Sequence, residues 1–190
     1  MLNFKPILML CAALALSACA KEIYDSDAVV QKAAYVHDGT PSLTLLTMIS
    51  NKNGKGGHSS LLINASQRVM YDPAGRWYSS VVPERNDVLF GVTPAVLKRY
   101  NSFHARDTHH VVIQEIPVTA QVAEMAYRAA LQQGASHDAM CANNTSQMLS
   151  KLPGFEKLGV TWYPAKLSEK FEKLPGVKTT KYYETDVGQN

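Results

Sequence analysis

A cysteine in the second half of the chain is the residue best suited to do chemistry. Cys141 lies in the stretch HDAMCANNTSQML, residues 137–149, and the pattern predicts that it falls within the first turn or so of a helix, with Ser136 and Asp138 as possible caps. The unpaired N–H groups and the positive dipole end of a helix N-terminus lower the pKa of a thiol and can stabilise an oxyanion. Cys141 is therefore a candidate nucleophile; the alternative is a buried structural cysteine.

The first residues of the chain account for the other two cysteines. The chain begins MLNFKPILMLCAALALSACAKE, in which Lys5 precedes an apolar run from Ile7 to Leu16. This layout is typical of a secretory signal, and the run is shorter than the roughly 20 apolar residues that a membrane-spanning helix needs. The tetrapeptide LSAC resembles the bacterial lipobox and predicts lipidation of Cys19. The alternative is an ordinary signal peptide cut nearby, with Cys19 incidental.

Removal of residues 1–18 as a lipoprotein signal peptide would leave Cys141 as the one unmodified thiol, which excludes a disulfide framework. The 19 basic residues less Lys5 leave 18 against 16 acidic residues, a formal charge of +2. That balance, without a dense Lys/Arg patch, argues against nucleic acid as a partner. The remaining length, about 170 residues, suits one domain with a core of its own.

A nucleophilic cysteine needs a base, and one histidine stands out. The chain contains six histidines: His37, His58, His104, His109, His110 and His137. His58 follows Gly56 and Gly57 at the start of a predicted strand, where an imidazole has room at the sheet edge. Surface or capping roles suffice for the other five. The histidine spacing fits no zinc site and CxxC is absent, so we expect no metal and no cofactor.

The register of the predicted hairpin suggests a hydrogen-bond partner for the His58 imidazole. If the predicted strands 58–63 and 68–72 pair about a turn near Ala65, opposite residues sum to about 130 and His58 faces Asp72. Cross-strand neighbours share a face, with Cβ atoms about 5 Å apart. A register error of one residue would put the two side chains on opposite faces. The alternative is that Asp72 only favours the turn before Pro73.

The remaining pattern predicts an α+β domain with a small antiparallel or mixed sheet packed by helices on one side. Strands are predicted at residues 42–50, 58–63, 68–72, 87–93, 109–118 and 177–184. Helices are predicted at residues 94–105, 120–134, 141–152 and 165–174. The expected organisation is a signal peptide at 1–18, a tether at 19–41, a single domain at 42–184 and a frayed tail at 185–190.

Three segments resemble the circularly permuted papain-like group within the NlpC/P60 superfamily, in which the histidine precedes the cysteine. They are GHSSLLI, RVMYDPAG and CANNTSQML, and the resemblance spans roughly residues 42–152. It implies a permuted papain-like fold and a Cys–His–polar triad. Cys141 matches the nucleophile and His58 the base, and the third polar position falls on Asp72. This chain departs from the superfamily there, because His, Asn or Gln is usual.

These features predict a lipid-anchored cysteine hydrolase, a peptidase or amidase that works through a thioester acyl-enzyme. We expect it on the periplasmic side of the outer membrane, held by lipid on Cys19, with peptidoglycan peptide as the substrate. One alternative is an acyltransferase or thioesterase acting on a lipid acyl substrate, and another is a non-catalytic binding lipoprotein of the same fold. The side-chain amide of Asn143 or of Asn144 could assist the oxyanion site.

Overall fold

The computed structural model describes residues 23–184, so the predicted signal peptide, the lipidation site Cys19 and the predicted tail at 185–190 lie outside the described residues. The strands are β1 (Ser42–Ser50), β2 (Gly56–Asn64), β3 (Arg68–Tyr71), β4 (Glu84–Arg85), β5 (Val88–Leu89), β6 (His109–Pro117) and β7 (Lys178–Tyr182). The helices are α1 (Asp27–Ala33), α2 (Pro94–His104), α3 (Ala120–Gln132), α4 (Cys141–Leu149) and α5 (Pro164–Glu172), with a 3₁₀ turn at Glu156–Leu158. No helix within residues 23–184 is both long and apolar enough to cross a bilayer.

The described strands form one sheet in the order β4-β5-β3-β2-β1-β6-β7, and every neighbouring pair is antiparallel. The predicted α+β class is therefore confirmed. β1 lies centrally, and its first seven residues are buried. Consecutive burial is expected of a strand whose two faces are both covered, and it explains the nearly continuous apolar run SLTLLTMIS.

Helices cover both faces of the sheet, so the predicted one-sided packing is wrong. On one face, Leu45 and Leu61 belong to a core cluster that includes residues of α3, α4 and α5. On the other face, Leu46 and Leu62 belong to a second cluster that includes Tyr100 of α2. Successive residues of a strand point to opposite faces, so the two apolar sets of β1 and β2 each need a cover.

The N-terminal segment packs on the domain from Tyr24 onward. Tyr24 forms a β-bridge with Arg85, whose guanidinium lies 2.6 Å from the Asp27 carboxylate. Ser26 caps α1 by accepting a hydrogen bond from the N–H of Val29. Val30 is 8% exposed and joins the core cluster on the α3, α4 and α5 face. This part of the predicted tether therefore belongs to the domain.

One end of the sheet brings three chain segments together. β2 and β3 run antiparallel with Leu61 opposite Tyr71, so the first residues of β2, from Gly56, lie at the end of the sheet toward which β3 runs. Helix α4 packs on β2, and its first residue, Cys141, is brought to the same region. A side chain on Gly56 would lie 2.5 Å from the backbone nitrogen of Ala165, so glycine lets the start of α5 approach this end closely.

Candidate active site

Cys141 is the first residue of α4 and the one cysteine of residues 23–184. Its side chain is buried, with 6% of its surface exposed. The N-cap is Met140, which makes no side-chain capping bond, so the predicted caps Ser136 and Asp138 do not occupy the cap position. The N–H groups of a helix start are therefore available to the sulfur, and the Ala142 N–H lowers the pKa of the thiol.

His58 and Asp72 meet as the hairpin arithmetic predicts. His58 Nε2 lies 2.6 Å from Asp72 Oδ1, and their side chains are 16% and 4% exposed. The observed ladder pairs Leu61 with Tyr71, so its continuation would set Ser60, not His58, opposite Asp72. The predicted register is off by two residues. An even error keeps both side chains on one face, and this is why the contact survives it.

The third contact joins His58 to the thiol. The His58 imidazole lowers the pKa of the Cys141 thiol, and the thiol in turn raises the pKa of His58, so the two side chains lie within range of each other. Because Nε2 of the imidazole is engaged by Asp72, Nδ1 is the nitrogen left for the sulfur. The three side chains that the sequence singled out therefore form one connected group, in the order sulfur, imidazole, carboxylate.

The charges of this group support one another. Burial lowers the pKa of His58, but the Asp72 carboxylate and Cys141 outweigh it and raise that pKa to about 10. Burial raises the pKa of Cys141, yet the hydrogen bond and charge of His58, with the Ser59 and Ala142 N–H groups, bring it below its usual value. Burial also raises the pKa of Asp72, and His58 reverses this as well. The three shifts favour the charged form of each group, and with a pKa of about 10 the His58 imidazole is protonated at neutral pH.

Two residues of α2 complete the surroundings, and sequence reasoning missed both. The Tyr100 hydroxyl donates a 2.6 Å hydrogen bond to Asp72 Oδ1. The His104 ring stacks on His58 with centroids 5.8 Å apart, and its Nδ1 lies 2.9 Å from the Tyr100 carbonyl oxygen. His104 therefore makes a bond to the last turn of α2, in keeping with the predicted capping role, and in addition packs against His58. The four-residue spacing puts both on one helix face, which was the available signal.

The loop before Cys141 is held by buried polar bonds. The Ser136 N–H donates to Asp87 Oδ2 over 2.7 Å, and the Asn144 amide donates to Ser136 Oγ over the same distance. Ala139, in this loop, has a φ of 64°, a left-handed conformation that is uncommon outside glycine. These bonds fix the approach of the chain to Cys141. They also commit the amide of Asn144, one of the two predicted oxyanion candidates, to a structural bond.

Gly75 is not a member of the triad, but replacing it with alanine is expected to displace Asp72. The Gly75 N–H donates to the Asp72 carbonyl oxygen, and a Cβ there would overlap Asp72 Oδ2. The carboxylate would move away from His58, and we expect alkylation of Cys141 by iodoacetamide at pH 7 to slow on the order of tenfold, equivalent to about one pKa unit. Ser80→Ala, an exposed position in the same loop, is the matched control. Equal alkylation rates for Gly75→Ala and the control would contradict this placement of Asp72.

The described residues contain no group of three or more His, Cys, Asp and Glu side chains that could hold a metal ion. Comparison with known proteins gives no match to a family model, to a curated protein or to a solved structure. The chemistry of the site is therefore argued from its own residues. Those residues supply a thiol whose pKa is lowered, a proton donor and nearby backbone N–H groups, which are the parts that acyl transfer through a thioester requires.

Proposed function

We propose that this chain is a lipid-anchored cysteine hydrolase of the bacterial envelope, a peptidase or amidase of the permuted papain-like NlpC/P60 type. The observation that carries the proposal is the connected group of Cys141, His58 and Asp72 at the start of α4. A buried structural cysteine has no need of an imidazole on its sulfur. It has still less need of a carboxylate 2.6 Å from that imidazole.

In the first step, the Cys141 thiolate attacks the carbonyl carbon of an amide, and a C–S bond forms. The backbone N–H groups of Ser59 and Ala142, which lower the pKa of the thiol, are the donors that we assign to the oxyanion that develops. His58 then gives its Nδ1 proton to the leaving nitrogen, and the C–N bond breaks. The products of this step are a free amine and a thioester on Cys141.

In the second step, water hydrolyses the thioester. Neutral His58 accepts a proton from water as the oxygen attacks the thioester carbon, and the C–S bond breaks to release a carboxylic acid and restore the thiolate. Asp72 holds the imidazole through Nε2 in both steps, so that Nδ1 keeps facing the reacting atoms. Tyr100 in turn holds the carboxylate. Asp72 thus orients the base and stabilises its charged form, the role of the carboxylate in other triads.

The substrate and the compartment rest on the sequence. The lipobox-like LSAC ending at Cys19 would tether the protein in the bacterial envelope through lipid. Peptidoglycan is the amide-containing polymer within reach of such an anchor. We therefore propose its peptide cross-links or stems as the bonds that the site cleaves.

The proposal is tested by the pH dependence of thiol alkylation. With the pKa of Cys141 lowered by His58, alkylation by iodoacetamide is expected to stay fast well below pH 8.5, where an ordinary thiol loses reactivity. In His58→Ala, the group that lowers the pKa of Cys141 most is removed and burial still raises that pKa. The pH range of fast alkylation should therefore move to pH 8.5 or above. Cys141→Ser supplies the blank. An ordinary thiol profile in the wild-type protein, unchanged in His58→Ala, would remove the basis of the proposal.

A further inference from the structure

A groove of about 570 Å³ lies between α2 and the loop that follows β3. Its lining includes the aromatic side chains of Trp77 and Phe103, the cations Lys98, Arg99 and Arg106, and the Ser102 hydroxyl. Volumes of about 300–1,000 Å³ are typical of sites that bind small molecules or parts of larger ones. Because Phe103 is 48% exposed, the groove offers an open apolar surface beside its charges.

The groove adjoins the proposed catalytic group through two ring contacts. The Phe103 ring lies 5.0 Å from that of His104, which stacks on His58. The Trp77 ring lies 5.6 Å from that of Tyr100, whose hydroxyl binds Asp72. Each aromatic wall of the groove is thus one residue away from a member of the triad. The groove itself lies on the exposed face of α2, where Lys98 and Arg99 are, whereas Tyr100 lies on the buried face of this helix.

The charge of the groove has one sign. The segment PAVLKRYNSFHAR, residues 94–106, contains no acidic residue, and the next acid along the chain is Asp107. Lys98 and Arg99 are exposed, and both line the groove. Lysine and arginine side chains placed together in a concave site attract carboxylates, and arginine can bind one through two parallel hydrogen bonds.

We propose that this groove binds an acidic peptide, with carboxylates on Lys98 and Arg99 and an apolar side chain between Phe103 and Trp77. The inference goes beyond the proposed function, since the groove lies on the exposed face of α2 and the peptide bound there is not the one that is cleaved. The concave shape favours a projecting chain over a flat lipid surface. The lining contains three cations and no acidic side chain, and this charge selects a peptide that carries carboxylates.

Binding is measured on Cys141→Ala, which forms no acyl-enzyme, so that the result does not depend on turnover. The probes are acetyl-Ala-Glu-Phe-Glu-Ala-amide and its glutamine counterpart, acetyl-Ala-Gln-Phe-Gln-Ala-amide, titrated by calorimetry at low salt. We expect the acidic peptide to bind on the order of tenfold more tightly, the size expected for two solvent-exposed ion pairs. Added salt should reduce this preference, because exposed charges are screened.

The variant Lys98→Ala/Arg99→Ala, made in the same background, should lose the preference. Lys151→Ala removes an exposed cation two residues beyond α4, at the end opposite Cys141, and should keep it. Both positions 98 and 99 are exposed, so the double variant is expected to fold, which its thermal unfolding checks. Equal binding of the two peptides, or a preference that survives in Lys98→Ala/Arg99→Ala, would overturn the inference.

Two further results separate this inference from its neighbours. In the first, the protein is sedimented with phosphatidylcholine vesicles that contain or lack phosphatidylglycerol. If binding requires phosphatidylglycerol and the cations at positions 98 and 99, and no preference for the acidic peptide is seen, the groove binds a lipid surface and the inference is overturned. In the second, turnover of muropeptides by the wild-type protein is measured. Turnover without a preference for the acidic peptide would contradict only the proposal for the groove. A preference for the acidic peptide without turnover would contradict the hydrolase proposal and leave the groove as a peptide-binding site.

Discussion

Replacing Asp72 with asparagine is expected to slow both alkylation and hydrolysis at Cys141. The carboxylate is the main reason that the pKa of His58 rises to about 10 in spite of burial. Without it, burial prevails and His58 is neutral at pH 7, so the thiolate loses its cation. Removing the same charge from another hydrolase triad lowers kcat about 10⁴-fold, and we expect a loss of that order. The measurement is kcat on muropeptides together with the iodoacetamide rate at pH 7.

The same substitution should change stability in a pH-dependent way. His58 has a raised pKa in the folded state, so its stabilisation is complete below its ordinary pKa of 6.5 and is lost as the pH rises through about 10. The pKa of Asp72 is lowered from 3.8, so its stabilisation is present above pH 3.8 and is lost as the pH falls through the folded value. The pair therefore contributes most between about pH 4 and 6.5.

We expect Asp72→Asn to lower the free energy of unfolding by about 3 kcal/mol in this window, the lower end for breaking a buried ion pair, because His58 can shed its proton. Denaturant unfolding at several pH values measures the difference, which should shrink toward pH 10. Asp107→Asn, in an exposed position, should show no such dependence. A difference from wild type that stayed constant from pH 4 to 10 would show that the ion pair contributes nothing to folding.

The strand pattern was enough to predict the part of the site that lies within one hairpin. Side chains alternate along a strand with a period of two, so the pattern fixes the face on which His58 and Asp72 lie even where it misplaces the ladder by two residues. The helix start at Cys141 was predicted within its first turn for a similar reason. The apolar stripe of α4 fixes the helix, whereas the cap depends on a local turn, and there Met140 took the place of the predicted residues.

The parts that sequence reasoning missed depend on distances across elements. The i, i+4 spacing of Tyr100 and His104 puts them on one helix face, but it does not say against which side of the sheet that face packs. β1 is apolar on both faces, so its pattern does not choose a side for α2. The α1 segment has only weak periodicity, which predicts a tether, and the structure buries one residue of this helix, Val30. A single apolar position creates no periodicity.

The contacts of Asp72 also explain how its carboxylate keeps a charge in a buried position. A carboxylate that is 4% exposed needs donors for its lone pairs, or its pKa rises and its charge is lost. His58 and Tyr100 both donate to Oδ1 of Asp72. The Tyr100 hydroxyl from α2 therefore helps to keep the Asp72 carboxylate charged, and a change at either position is expected to affect the other.

Replacing Cys141 with alanine is expected to abolish hydrolysis and to leave the fold in place. In the proposed mechanism the thiol forms the acyl-enzyme, and loss of the nucleophile in a triad enzyme costs on the order of 10⁶-fold in kcat. Alanine is smaller than cysteine and apolar, so it fits the same buried position at the start of α4. Release of muropeptide fragments, followed by mass spectrometry, measures the loss. Release that continues at the wild-type rate would exclude Cys141 as the nucleophile.

The same variant also tests which partner dominates the charge on His58. The effects of Asp72 on this imidazole exceed those of Cys141, so Cys141→Ala should lower the pKa of His58 from about 10 but leave it above 6.5. Asp72→Asn should lower it further, because burial then acts against the thiol alone. NMR titration of the imidazole protons should give the order wild type, Cys141→Ala, Asp72→Asn from high to low. If the two variants exchanged places, the sulfur would be the main partner of the imidazole, and Asp72 would have to be reassigned from a charge partner to a turn residue.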